Sequence, residues 1–189
     1  AVFVNRDYTP YSKMRDEKIK EVCDKNDVIF ESHEDVLLQP VGSIRNGSGE
    51  IYKKFTPFFN TAKKIAVKKP IKNTHTNYLA KKNKIVGEFK GNTNKFYQYN
   101  DHLAVHGGRD LGLKIIIGIK KFKKYNDERN TLATPTTKLS AYIKFGCVSI
   151  WEVYQKMKSV LGAKNDLIKQ LYWREFYHNI LEYYPNTLS

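Results

Sequence analysis

A strand, a helix and a second strand in the opening thirty-odd residues restrict the fold of this chain more than any other feature. Val2-Phe3-Val4 is a short β-branched and aromatic run, closed by the turn-prone Asn5-Arg6-Asp7. Arg15-Asp16-Glu17 opens an amphipathic helix with Ile19, Val22 and Cys23 apolar, and Val28-Ile29-Phe30 reads as the second strand. Strands joined through a helix pair in parallel, so the local fold is an α/β layer. The segment from Leu37 to Glu50 carries Gly42, Asn46-Gly47 and Gly49, which make it a surface loop. It leads into a helix that Thr56 would cap, with Pro57 at the first position.

Beyond residue 60 the composition shifts. Lys63, Lys64, Lys68, Lys69, Lys72, Lys81, Lys82 and Lys84 crowd a stretch in which Glu88 is the only acid. It reads as a solvated linker, with direct DNA contact as the alternative for its charge. His106-Gly107-Gly108-Arg109-Asp110 then opens a new unit. No GxGxxG spacing follows the glycines, which excludes a Rossmann cofactor site there. The isoleucines in the apolar run from Leu111 to Phe122 could by themselves pass for a strand, and the lysines from Lys120 onward favour a helix. Gly146 suits a helix end, and Ser149 with Glu152 forms a capping box for a helix over Ile150 to Val160. Gly162 closes that helix, Asn165 or Asp166 caps the next, and Pro185 follows its end. The fold class is therefore α/β followed by all-α, divided as residues 1–60, a Lys-rich linker over 61–100, and a helical part over 101–189.

The net charge of +14 favours a polyanionic partner, nucleic acid before an acidic membrane surface. The bland alternative is a basic surface on an Asn/Lys/Ile/Tyr-rich chain. Cys23 and Cys147 match no disulfide or zinc spacing, so an intracellular reducing compartment is expected. No apolar run approaches membrane-spanning length and no signal peptide precedes the first strand. The chain opens inside a strand without an initiator Met and stops shortly after Pro185, and so reads as a piece of something longer.

Two motifs carry chemistry. Thr136-Thr137-Lys138-Leu139-Ser140 places hydroxyls and a lysine where a helix begins, and unpaired backbone N–H groups there favour a phosphate. Gln170, Trp173, Arg174 and Tyr177 fall at i, i+3, i+4 and i+7 on the second, so an amide, an indole, a guanidinium and a phenol share one helix side. That face suits a flat aromatic ring held near phosphate, as in a flavin or a nucleobase.

Thr136 to Ser140, followed by Tyr142 and Phe145-Gly146-Cys147-Val148-Ser149 and then Leu171-Tyr172-Trp173-Arg174-Glu175-Phe176-Tyr177, resembles the photolyase/cryptochrome flavoproteins. Asn5, Tyr8, Arg15-Asp16, Gly49-Glu50-Ile51-Tyr52 and Phe55-Thr56-Pro57-Phe58 resemble, in the same order, the closing part of that family's antenna domain. The resemblance implies the C-terminal part of a Rossmann-like antenna domain, a linker, and the first helices of a helical FAD-binding domain. It implies FAD held by Tyr125, Thr136, Thr137, Lys138, Leu139, Ser140 and Arg174, and DNA contacted by Arg129, Gln170, Trp173, Arg174 and Tyr177. The implied activity is light-driven repair of UV-induced pyrimidine dimers by electron transfer from reduced FAD, with UV-damaged DNA as partner.

Departures from the pattern qualify that expectation. Gln170 stands where many cyclobutane-dimer photolyases carry a glutamate, which leaves (6-4) lesions open. Leu167 stands where some carry a flavin-side tryptophan. Tyr11-Ser12 replaces the Asn-Glu pair of folate-type members, so a second antenna chromophore has no assigned type. Later helices of the family are absent, and a separate polypeptide or a missing C-terminal segment would have to complete the FAD domain. The isolated chain is therefore expected to bind FAD weakly and not to repair DNA. A cryptochrome-like photoreceptor, a non-functional photolyase remnant and a basic nucleic-acid-binding module are the competing classes.

Overall fold

A computed structural model describes residues 1–77, 96 and 98–188. Strands β1 (Val2–Asn5) and β2 (Phe30–His33) pair in parallel, Val2 opposite Phe30 and Asn5 opposite His33. Helix α1 (Pro10–Lys25) makes the crossover between them. It begins five residues before the expected Arg15, because Thr9 accepts from the Ser12 N–H at 3.2 Å and Pro10 takes the first helical position. The second strand starts at Phe30, not Val28. Asp27 turns through a positive φ of 52°, and the Val28 N–H is still used to close α1 on the Cys23 carbonyl.

Helix α2 (Phe55–Ala62) also starts earlier than its sequence suggests. Lys54 occupies the cap with no side-chain bond, and Thr56 and Pro57 fall inside the first turn, where the missing proline N–H costs nothing. The shift turns Phe55, Phe58 and Ala62 inward together, and all three are buried. The loop before α2 is less superficial than its glycines suggest. Leu37, Leu38, Ile44 and Ile51 are all buried in the core.

The helical part follows as α3 (Arg109–Ile117), α4 (Tyr125–Glu128), α5 (Leu139–Lys144), α6 (Ile150–Leu161) and α7 (Asp166–Tyr183). The isoleucine run is helical until Gly118, after which Ile119–Phe122 tightens into a 3-10 turn. Gly112 is required by packing: a Cβ there would stand 2.7 Å from the Val148 side chain and 3.1 Å from the Tyr142 ring. Gly146 ends α5 with φ +65°, a conformation that disfavours L side chains. Helix α7 packs against both α2 and α6. The core there includes Phe58, Tyr154, Met157, Leu171, Tyr172 and Phe176.

By internal contacts Ala1–Pro70 and Gly107–Ser189 form one compact unit, and Ile71–His106 forms another, in which Tyr99 stacks on His106 at 5.0 Å. Of the lysine run, Lys81, Lys82 and Lys84 lie outside the described residues, as does Glu88. No helix among the described residues is long and apolar enough to cross a membrane.

The capping box of α6 is formed. Ser149 Oγ accepts from the Trp151 N–H and the Glu152 carboxylate accepts from the Ser149 N–H, each at 3.2 Å. Arg109 holds Glu152 from outside at 3.3 Å. Ser149→Ala should cost about 1 kcal/mol, read as a lower urea midpoint. An unchanged midpoint would show that Glu152 caps the helix unaided.

Candidate functional site

The eighteen residues of α7 organise the site, and its faces differ in what they touch. Asp166, Lys169, Gln170, Trp173 and Tyr177 recur at helical spacing and line a cavity of about 530 Å³, together with Asn126 and Arg129. Leu167, Gln170, Leu171 and Arg174 line a second cavity of about 300 Å³. Its other walls are Tyr125, Thr136, Thr137, Lys138, Leu139, Ser140, Ile143 and Met157. Gln170 belongs to both.

The residues expected to hold a cofactor are thus brought together in the smaller cavity. The local geometry differs from a hydroxyl-capped helix start. Helix α5 begins at Leu139, Lys138 sits in the left-handed region at φ 52°, and Thr137 Oγ1 accepts from the Leu139 N–H at 3.3 Å. That N–H is therefore already used, while the Thr136, Thr137 and Ser140 hydroxyls, each able to donate to an anion, line the cavity together with the Lys138 side chain. Drug-sized ligands occupy pockets of about 300–1,000 Å³. A cavity at the lower end suits a diphosphate and one edge of a ring, not a whole dinucleotide.

Of the residues expected at DNA, Arg129, Gln170, Trp173 and Tyr177 share the larger cavity. Arg174 does not line it. Its guanidinium donates to the Val36 carbonyl and lies in the wall of the smaller cavity. Burial pushes the Arg174 pKa down, against the opposing pull of Glu175. The sharing of one side by Arg174 and Gln170 holds only for the smaller cavity, because a helix step of four residues turns Arg174 toward the loop before α2.

Trp173 is half-buried and held among rings. Its indole stacks on Phe55 at 3.6 Å between centroids and 7° between planes, and on Tyr177 at 5.6 Å and 24°. Phe176 meets it edge-on at 5.9 Å. Tyr177 is exposed, and Lys169 Nζ lies 5.8 Å from the Phe59 ring centre.

Sequence reasoning missed Phe55 as the ring behind Trp173. It also missed the polar side chains that fasten the loop before α2. Glu175 is fully buried, and its Oε1 accepts from the Gln39 N–H at 2.6 Å. Asn179 Oδ1 accepts from the Gly42 N–H at 2.9 Å, and Trp151 Nε1 donates to the Leu37 carbonyl at 2.9 Å. Burial pushes the Glu175 carboxyl up to about 8, although the Gln39 N–H and the Arg174 guanidinium both pull it down. One signal existed: Glu175 and Asn179 stand among Ile168, Leu171, Tyr172 and Phe176 on the inward side, where an unpaired polar group is costly.

Residues 1–76 match the model of the DNA photolyase family. The deoxyribodipyrimidine photo-lyase of Buchnera aphidicola subsp. Baizongia pistaciae is 30% identical over 205 residues, covering 98% of this chain and 41% of the relative. Cryptochrome-2 of Gallus gallus is 33% identical over 67 residues, 32% of this chain and 12% of the relative. Among solved structures, the archaeal photolyase from Sulfolobus tokodaii with two FAD molecules superposes with a TM-score of 0.71 at 28% identity, covering 98% of this chain and 40% of that one. The Synechocystis sp. PCC6803 cryptochrome shares the fold, with a TM-score of 0.70 at 22% identity over 95% of this chain and 41% of that one. The chain thus spans about two fifths of the length of these photolyases.

Proposed function

The chain belongs to the DNA photolyase/cryptochrome family, and on that footing we propose that it forms one wall of an FAD site and the adjoining face on which a UV-damaged pyrimidine stacks. On this reading residues 1–60 end an antenna domain, 61–100 link, and 101–189 begin the FAD-binding domain. The observation that carries the reading is the gathering of Tyr125, Thr136 to Ser140 and Arg174 around one cavity, with Gln170 shared with the cavity that holds Trp173.

FAD, when bound in reduced form, supplies the light-excited electron that splits a pyrimidine dimer. The residues of this chain bind and orient. Lys138 neutralises diphosphate charge, and the Thr136 and Ser140 hydroxyls donate to its oxygens. Arg174, held by the Val36 carbonyl, keeps a fixed guanidinium at the cavity wall. Trp173 offers an indole for stacking, worth about 1–3 kcal/mol per base, and Arg129 meets the backbone phosphate. Damaged bases cost less to extrude than paired ones, which gives the stacking face its selectivity. Gln170 donates through its amide to a pyrimidine carbonyl but supplies neither charge nor proton, an observation that also favours a second reading, a flavin-binding photoreceptor without repair.

Titration of the purified chain with FAD, followed by desalting and an absorption spectrum, tests the proposal. Retention well below one equivalent is expected. Lys138→Asn keeps a residue that tolerates the left-handed backbone but removes the charge, and should weaken FAD binding about tenfold. DNA affinity with no response to FAD would instead make the chain a basic nucleic-acid-binding module.

A further inference from the structure

Asp166 is the carboxylate of the larger cavity, and nothing in the expected DNA-binding set included it. It stands one turn before Gln170 and two turns before Trp173, on the stripe of α7 that faces the cavity. Neither the Asp166 nor the Gln170 side chain has a hydrogen-bond or ion-pair partner among the described residues, and both are half-buried. Two polar groups held one turn apart in the cavity wall that also holds the Trp173 indole, without protein partners, have their hydrogen bonds to give to a ligand.

The chemistry of the pair specifies the ligand. An ionised carboxylate only accepts, whereas a carboxamide both donates and accepts. A thymine-type ring presents a carbonyl, an imide N–H and a second carbonyl along one edge. The cytosine edge presents a bare ring nitrogen where thymine has that N–H, and a carboxylate facing it meets lone pair with lone pair. Arg129 and Lys169 in the same cavity wall supply the positive charge that a flanking phosphate needs.

We infer that Asp166 sets the specificity of this cavity: its carboxylate accepts the imide N–H of a thymine-type pyrimidine stacked on Trp173, while Gln170 donates to a neighbouring carbonyl. The inference rests on the reading of the cavity as a base-stacking face. It selects thymine-type bases over cytosine, a discrimination that stacking alone does not make.

The test uses the full chain and short single-stranded DNA probes: one with a central thymine–thymine dimer, the same dimer methylated at its imide nitrogens, an undamaged oligothymidylate and an oligocytidylate. A charge-assisted hydrogen bond contributes about 1.5–3 kcal/mol, so the parent chain should bind the unmethylated dimer about tenfold or more tightly than the methylated one. Asp166→Ala should bring the two to near equality while its thermal midpoint stays close to that of the parent. Trp173→Ala should weaken both equally. Undiminished discrimination in Asp166→Ala, or none in the parent, overturns the role of Asp166. Equal affinity for damaged and undamaged thymine strands, with discrimination against cytosine intact, instead overturns the lesion reading and leaves Asp166 as a selector of thymine-type bases.

Discussion

Glu175→Gln should stabilise the folded chain at alkaline pH and flatten its stability profile above neutrality. The Glu175 carboxyl is fully buried, and burial raises its pKa from 4.5 to about 8. A raised folded-state pKa means that the native chain holds a proton which the unfolded chain has released. Stability is therefore fully present below the unfolded pKa and is lost as pH rises through the folded one. His178 acts in the opposite sense. Burial lowers its pKa from 6.5, so its contribution is lost as pH falls. Above pH 6.5 the His178 contribution fades, and comparison with Glu175→Gln, which keeps His178, removes what is left of it and isolates Glu175. Between there and pH 8 the parent should lose about 2 kcal/mol, and Glu175→Gln should lose almost nothing. The glutamine oxygen still accepts from the Gln39 N–H, so the loop stays fastened. Glu175→Ala leaves that N–H without a partner, at about 1–3 kcal/mol, and opens a void beside it. Urea melts across the pH series decide the matter: parallel profiles for parent and Glu175→Gln would mean that the carboxyl is not protonated in the folded chain.

The same residue shows where sequence reading reaches its limit. The parallel strand pair was legible because Val2-Phe3-Val4 and Phe30 are β-branched or aromatic residues separated by a crossover of helical length. Helix ends were legible where one residue decides them, as at Ser149, Asn165 and Gly146. They were misplaced at Arg15, because the Thr9 cap and Pro10 lie upstream of it, and at Thr56, where the start depends on which residues must face the core. The stripe of α7 was read from its spacing, yet Arg174 turned out to be tied to Val36 and Asp166 to complete the cavity wall. Both follow from helix rotation, which the sequence does not state. The bonds from Glu175 to Gln39 and from Asn179 to Gly42 join residues 136 and 137 positions apart. Nothing in local propensity links such positions. Only the closing of the loop on the helix brings them together.

The ring pair of Phe55 and Trp173 carries that lesson into the site itself, and Phe55→Ala should be among the most damaging single changes in the chain. Phe55 is buried on α2, with its ring parallel to the indole and against Phe59 and Phe176 at 5.7 and 5.8 Å. Removal of such a side chain costs about 3–5 kcal/mol, whereas Phe55→Leu, which nearly keeps the volume, should cost less than about 1.5 kcal/mol. Leucine therefore separates support of the fold from support of the indole. In a double-mutant cycle of Phe55→Leu with Trp173→Leu, the stacked rings should show a coupling of about 0.5–1.5 kcal/mol. Zero coupling would mean that the rings are neighbours without energetic consequence. With the coupling present, Phe55→Leu should also weaken binding to single-stranded thymine probes, by less than Trp173→Ala does, because the indole remains but its plane is no longer fixed. A stacking face is only as selective as its plane is rigid, since a tilting indole accepts any ring. Phe55 lies before the lysine run and Trp173 after it. The face proposed to stack a base is thus aimed by a residue from the first third of the chain, and the helices alone would present the same side chains without that aim.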